Sequence, residues 1–206
     1  ALPIQYRDYA TWQRRRFEEG ALDGELEYWQ GQLGDDPPHL DIPTSKRRPA
    51  RPTARAGRVS ITLDDLKTAE LTEFAASAAM TPTMVSLASI GAALNRFAGT
   101  ADIVIGVPSA DRAWSKTSPL IGFFVNTLPI RMKMSRDMSF SDLLAQVKQT
   151  SLDAYANREI PFERVVQAVE PTRDPGRNPV FQLMFQYNQE AFRRPLDLPD
   201  VEEEQI

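Results

Sequence analysis

Acyl, phosphoryl and hydride transfer each need a few residue types at fixed spacings, and this sequence holds few of them. Its only histidine is His39, the one imidazole that could act as a base near neutral pH. It sits in DDPPHLD, where two prolines and three carboxylates predict a solvated turn rather than a catalytic pocket. There is no cysteine, which excludes thiolate nucleophiles, disulfides and sulfur-ligated zinc, and a single histidine cannot build a multi-histidine metal site. The carboxylates at Asp35/Asp36, Asp64/Asp65 and Glu202–Glu204 read as helix caps or solvated charge. No glycine-rich run precedes a Lys-Ser or Lys-Thr pair in phosphate-loop spacing. The most informative segment is IGFFVNTLPIR, Ile121–Arg131. As a strand it places Phe124, Asn126 and Leu128 on one face and Phe123, Val125 and Thr127 on the other, so the Asn126 amide lies among apolar neighbours and needs hydrogen-bond partners. Those partners are either loop backbone or a substrate, and a buried Asn favours the backbone.

The elements that must hold this segment can be read from periodicity. Tyr6, Tyr9, Trp12 and Phe17 fall at helical spacing, and Leu26, Tyr28, Trp29 and Leu33 mark a second helix over Asp23–Leu33. Residues 35–58 hold five prolines and, from Lys46 to Arg58, six basic residues, which predicts an extended connector. RVSITL (Arg58–Leu63) alternates as a strand does, and Asp64 or Asp65 caps a helix carrying Leu66, Leu71, Phe74, Ala75 and Ala78. Thr81-Pro82 opens the next helix and Gly99 closes it. DIVIGV (Asp102–Val107), FFVNTLPIR (Phe123–Arg131) and VFQLMFQY (Val180–Tyr187) read as strands, with a helix over Phe140–Tyr155 and a shorter one opened by Pro161. Strands alternating with helices predict an α/β layered fold around a mixed sheet.

Length and composition agree with that reading. The chain has 206 residues, 42% apolar and 25% charged, enough to bury one sizeable core. With 24 basic and 28 acidic residues the net charge is −4, which gives no overall electrostatic reason to bind nucleic acid or an anionic membrane. No apolar run reaches the 18 or so residues of a membrane span; a cytoplasmic setting suits a chain without cysteine and is the expectation, though it does not follow from these counts. The chain opens on Ala1 within a patterned segment, and is expected to be cut from something longer.

Ordered segments of the sequence resemble the motifs of condensation domains from nonribosomal peptide synthetases. IGFFVNT resembles IGxFVNT, and YRDYATW (Tyr6–Trp12) resembles YxDYAVW with Thr11 for Val. NREIPFERVV (Asn157–Val166) is similar to HQDxPFExLV, with Asn157, Arg158 and Glu159 replacing His, Gln and Asp. RDPGRNPVFQLMF (Arg173–Phe185) is similar to RDxSRNPLFQVMF, with Gly176 where Ser is common, and GVPSADR (Gly106–Arg112) to GxPxAGR, with Asp111 departing from Gly. The residues carried over are Tyr6, Asp8, Trp12, Arg112, Gly122, Asn126, Thr127, Arg131, Pro161, Phe162, Arg177, Asn178 and Pro179. They are expected to brace a channel, with no catalytic residue and no metal ligand in the chain.

The resemblance implies the C-terminal lobe of such a domain over residues 1–206, in a two-layer chloramphenicol acetyltransferase-like fold with helices packed on one face of a mixed sheet. The family's HHxxxDG motif would lie in a preceding N-terminal lobe. The implied reaction is amide formation between carrier-bound thioesters. Donor and acceptor peptidyl carrier proteins would deliver phosphopantetheine-tethered substrates, and the N-terminal lobe and an adjacent adenylation domain would be further partners. FFVNT points to ordinary condensation rather than epimerisation or heterocyclisation. A noncatalytic carrier-docking module and a coenzyme A-dependent acyltransferase are the rival readings. Phe124, Leu128, Phe181, Leu183 and Phe185 are candidates for an apolar face left for the other lobe or a closing strand.

Overall fold

A computed structural model describes residues 2–45, 56–110, 115–169 and 176–188. The chain runs α1 (Tyr6–Glu18), α2 (Asp23–Leu33), α3 (Asp65–Ser77), α4 (Pro82–Ala98), β1 (Asp102–Ala110), β2 (Val125–Lys133), α5 (Phe140–Ala156), α6 (Phe162–Val169) and β3 (Leu183–Met184). The expected caps form. Asp64 accepts the Lys67 N–H at 2.8 Å and Thr81 Oγ1 accepts that of Met84 at 3.3 Å; in addition, Ser139 and Asp142 make a reciprocal capping box at α5 that was not among the expectations. Gly99 ends α4 in the left-handed region, φ 66°, where a side chain would be strained.

The strands form one mixed sheet of order β2-β1-β3. β1 and β2 are antiparallel, from Asp102 opposite Lys133 to Ala110 opposite Val125, while β3 runs parallel to β1 with Ile105 opposite Leu183. Pro129 sits opposite Gly106 in β2, an edge strand among the described residues, where a missing N–H is tolerated. Ile103, Val104 and Ile105 are all buried, so the central strand is covered on both faces. α4, α5 and α6 pack on the sheet, and α2 adds Trp29 and Leu33 to the same core. The α/β layering expected from the alternation is present.

Two expected strands differ. Arg58–Leu63 pairs with nothing described: Val59 is 90% and Ile61 85% exposed. Alternation encodes which face of a strand is apolar, but a ladder needs a neighbouring backbone, and none lies alongside among the described residues. Val180–Tyr187 pairs only at Leu183 and Met184 because the residues before them are committed elsewhere. Asn178 Oδ1 accepts the Val180 N–H at 3.3 Å, Gln182 reaches the Asn178 carbonyl and the Leu40 N–H, and Val180 and Phe181 are core plugs. β1, by contrast, runs three residues further than expected, through Ala110.

The first half of the connector is fixed. Leu40 is buried, its N–H donates to Gln182 Oε1 at 2.6 Å, and Asp41 pairs with Arg177 at 2.6 Å. His39 lies in an irregular stretch and is exposed, as the solvated-turn reading expected. Most of the basic run, residues 46–55, lies outside the described residues.

Candidate functional site

β2 carries one gripping side chain near each end. At its start, Asn126 uses its whole amide on backbone: Nδ2 donates to the carbonyls of Arg158 at 2.8 Å and Ile160 at 2.7 Å, while Oδ1 accepts the N–H groups of Thr127 at 2.9 Å and Phe162 at 3.0 Å. The loop between α5 and α6 is thereby tied to the strand. Near its other end, Arg131 makes a bidentate pair with Asp102 of β1, at 2.9 and 2.6 Å, and donates to the Gln32 and Leu33 carbonyls that end α2. Arg131 therefore joins the hairpin to a helix C-terminus, a use of a planar guanidinium that Lys could not match.

The same loop is held by two further helices. Trp29 donates its indole N–H to the Asn157 carbonyl at 2.7 Å, Glu25 Oε2 accepts the N–H groups of Glu159 at 2.9 Å and Ile160 at 3.0 Å, and Arg16 pairs with the Glu159 carboxylate. Burial raises the pKa of the half-buried Glu25 above the ordinary carboxylate value, against the two amides, which lower it. Tyr28, next along α2, is pushed up to about 12 by burial and then by the Asp153 carboxylate, so it stays protonated at physiological pH. Glu25, Trp29 and Arg16 were not singled out by sequence. Trp29 carried an apolar-face signal, whereas a helical Glu or Arg looks the same whether solvated or gripping a loop.

Small residues let the motif segments touch. Tyr6 lies on Gly122, where an added Cβ would clash with a ring carbon, and its hydroxyl donates to the Phe123 carbonyl at 3.0 Å. Phe124 stands edge-on to Tyr6 at 5.3 Å and against Tyr9 at 4.8 Å, so α1 and the entry to β2 share a small aromatic cluster. Phe181 lies over Gly106, where a Cβ would come 2.5 Å from two ring carbons, and Phe162 packs against Phe181 at 5.5 Å. Five segments distant in sequence thus interlock through two glycines and one asparagine.

The structure brings six of the thirteen expected site residues together around one cavity. Tyr6, Asn126, Thr127, Pro161 and Phe162 line a cavity of about 250 Å³ with Tyr9, Gln13, Phe123, Phe124, Val125, Arg158, Glu159 and Glu163. Gly122 adjoins it through Tyr6. Asp8 and Trp12 do not line it. Asp8 accepts the Gln5 N–H at 2.9 Å and starts α1, and Trp12 takes the Arg16 guanidinium on its face at 5.0 Å. Arg131 is at the far end of β2. Arg177, Asn178 and Pro179 shape the turn before β3, and Arg112 lies outside the described residues.

The expected apolar face is corrected. Phe124, Leu128 and Phe181 are buried, and Leu183 and Phe185 are not left as an open patch but pack against the chain's own core. The other alternation is open: Ile121 is 96% exposed, and Phe123, 73% exposed, lines the cavity beside an exposed Val125.

Residues 1–205 match the family described as Condensation domain. The chain belongs to the condensation domain family. It is 43% identical over 184 residues to phosphinothricin tripeptide synthetase PhsC of Streptomyces viridochromogenes, across 89% of this chain and 17% of that protein. It is 37% identical over 197 residues to tyrocidine synthase 2 of Brevibacillus parabrevis, across 95% of this chain and 6% of that protein. Among solved structures, the X-domain from teicoplanin biosynthesis superposes with a TM-score of 0.81 at 28% identity, covering 89% of this chain and 42% of that one. The chain spans a small part of the curated relatives and less than half of that solved domain. No single described helix is long and apolar enough to cross a membrane.

Proposed function

We propose that this chain is the C-terminal lobe of a peptide-bond-forming condensation domain, and that it supplies one wall of the acyl-transfer channel but no proton-transferring group. The acceptor amine attacks the donor thioester carbonyl, the new C–N bond forms as the C–S bond breaks, and the phosphopantetheine thiol leaves with the proton the amine gives up. An N-terminal lobe bearing the family's HHxxxDG motif handles that proton, and carrier proteins bring both arms. The rings of Tyr6, Tyr9, Phe123, Phe124 and Phe162 in the lining, which also holds Arg158, Glu159 and Glu163, suit the uncharged, thioester-bearing part of such an arm. An adenylation domain alongside, as expected from the resemblance, fits a relative solved as a four-domain nonribosomal peptide synthetase, and a cytoplasmic setting fits this chemistry.

One observation carries this reading: all four hydrogen bonds of Asn126 go to backbone, so the motif's central polar group is spent on shape. Positioning two tethered reactants is itself worth a large part of a bimolecular barrier. The test is to incubate loaded donor and acceptor carriers with this chain, with an N-terminal lobe, and with both. Amide product is expected only from the pair. Product from this chain alone, above the carrier-only background, would sink the proposal.

A second reading has a specific observation behind it. The X-domain of teicoplanin biosynthesis, which this chain resembles with a TM-score of 0.82, was solved in complex with OxyB, and the exposed Ile121, Phe123 and Val125 could serve a noncatalytic module that docks another protein. Failure of both lobes together to form amide, with retained binding of a carrier, would favour it.

A further inference from the structure

The loop that shapes the cavity is held from two sides, and only one of them belongs to a motif. From β2, Asn126 takes the carbonyls of Arg158 and Ile160 and the N–H of Phe162. From α2, Glu25 takes the two amides between them, those of Glu159 and Ile160. The loop and the first turn after it give the cavity Arg158, Glu159, Pro161, Phe162 and Glu163, whereas Glu25 does not line it. We propose that Glu25 is a positioning residue for the condensation site, which sets the cavity's shape by fixing the Glu159 and Ile160 peptide groups and does so as a hydrogen-bond acceptor rather than as a charge. This inference rests on the chain being the wall of a condensation channel.

Three features support the acceptor role. Both N–H groups converge on one oxygen, Oε2, so a single carbonyl-type acceptor satisfies them. Burial outweighs the two amides in setting Glu25's acidity and moves it upward from the ordinary carboxylate value, toward the neutral form relative to a free carboxylate. The charged groups acting on it are Glu159 of the loop, which repels it, and Arg16 of α1, which attracts it, and these two are paired with each other. From α6, also packed on α2, come Glu163 and Arg164, the latter set over the Phe17 ring at 4.4 Å. The helix is a firm support, since Arg131 holds its C-terminus and Trp29 holds the Asn157 carbonyl.

The test compares wild type, Glu25→Ala, Glu25→Gln, Asn126→Ala and the Glu25→Ala/Asn126→Ala pair in this chain by amide hydrogen exchange, normalised to intrinsic rates. Glu25→Ala is expected to speed exchange at Glu159 and Ile160 by about tenfold or more, because two part-buried donors lose their acceptor. Glu25→Gln is expected to stay within about twofold of wild type, since its carbonyl oxygen accepts both. The double variant should lose less than the two single losses combined, as residues sharing one loop do. In the assembled domain, Glu25→Ala should lower kcat and Glu25→Gln should restore it. Wild-type protection in Glu25→Ala would overturn the proposal. So would Glu25→Gln exchanging as fast as Glu25→Ala, and if Glu25→Ala does not fold, a loss of protection in Glu25→Gln does the same. A wild-type domain that forms no amide counts against the function reading, while the exchange data still decide the positioning role.

Discussion

The loop from Asn157 to Phe162 and the segment from Arg58 to Leu63 are both short and irregular, yet they are built in opposite ways. In the first, backbone groups of Asn157, Arg158, Glu159, Ile160 and Phe162 are taken by Trp29, Asn126 and Glu25, side chains from α2 and β2. In the second, apolar side chains alternate as a strand requires, but no ladder forms among the described residues and Val59 and Ile61 stand in solvent. α3, which follows it, buries only Ala75 among its residues and leaves Leu66 and Phe74 exposed. Irregular backbone can be the most specified part of a fold when polar side chains satisfy it, and regular patterning can be the least specified when no partner strand is at hand.

That contrast can be broken or sharpened by substitution. The largest loss is expected from Arg131→Ala, which leaves Asp102 without its bidentate partner and the end of α2 uncapped. About 3 kcal/mol of unfolding free energy should disappear in a denaturant titration. Gly106→Ala comes next, at about 1 to 3 kcal/mol, because its Cβ would meet the buried Phe181 ring. Gly91→Ala is a useful control: its Cβ meets the flexible end of Met132, which can give way, so it should cost less. A smaller effect is expected from pH. The raised pKa of Glu25 means that the folded state binds its proton more readily than the unfolded state, so stability falls as pH rises from the ordinary carboxylate value through the raised one. Glu25→Gln should remove that slope while the rest of the profile stays. The smallest effect is Ile61→Ser, expected within about 0.5 kcal/mol in this chain because the side chain already sits in water. A cost of several kcal/mol there would mean that the segment is docked after all.

What the sequence made legible was local. Asp64, Thr81-Pro82 and Gly99 marked helix ends correctly, since a cap acts on N–H and carbonyl groups within a turn of itself. The grouping of Phe124, Asn126 and Leu128 on one face followed from period-two patterning, and so did the need of Asn126 for partners, but the burial of Phe124 and Leu128 within this chain did not. The identity of those partners did not follow, since Arg158, Ile160 and Phe162 lie some 32 to 36 residues away. Glu25 was invisible for the same reason, with its two amides 134 and 135 residues distant. The segments at 58–63 and 180–187 failed as full strands because pairing is a property of two backbones, and a periodicity describes only one.

The central claim is that the Asn126 motif is framework rather than chemistry, and Asn126→Ala in the assembled two-lobed domain tests it most directly when melting temperature and condensation rate are measured on the same sample. Four backbone groups would lose their partner. A drop of several degrees in melting temperature is expected, for a loss of about 1 to 3 kcal/mol or more. The rate per folded domain, measured well below that melting temperature, should fall by about tenfold or less. An unchanged melting temperature with a reaction about a thousandfold slower would make Asn126 a participant in the transition state and contradict the account.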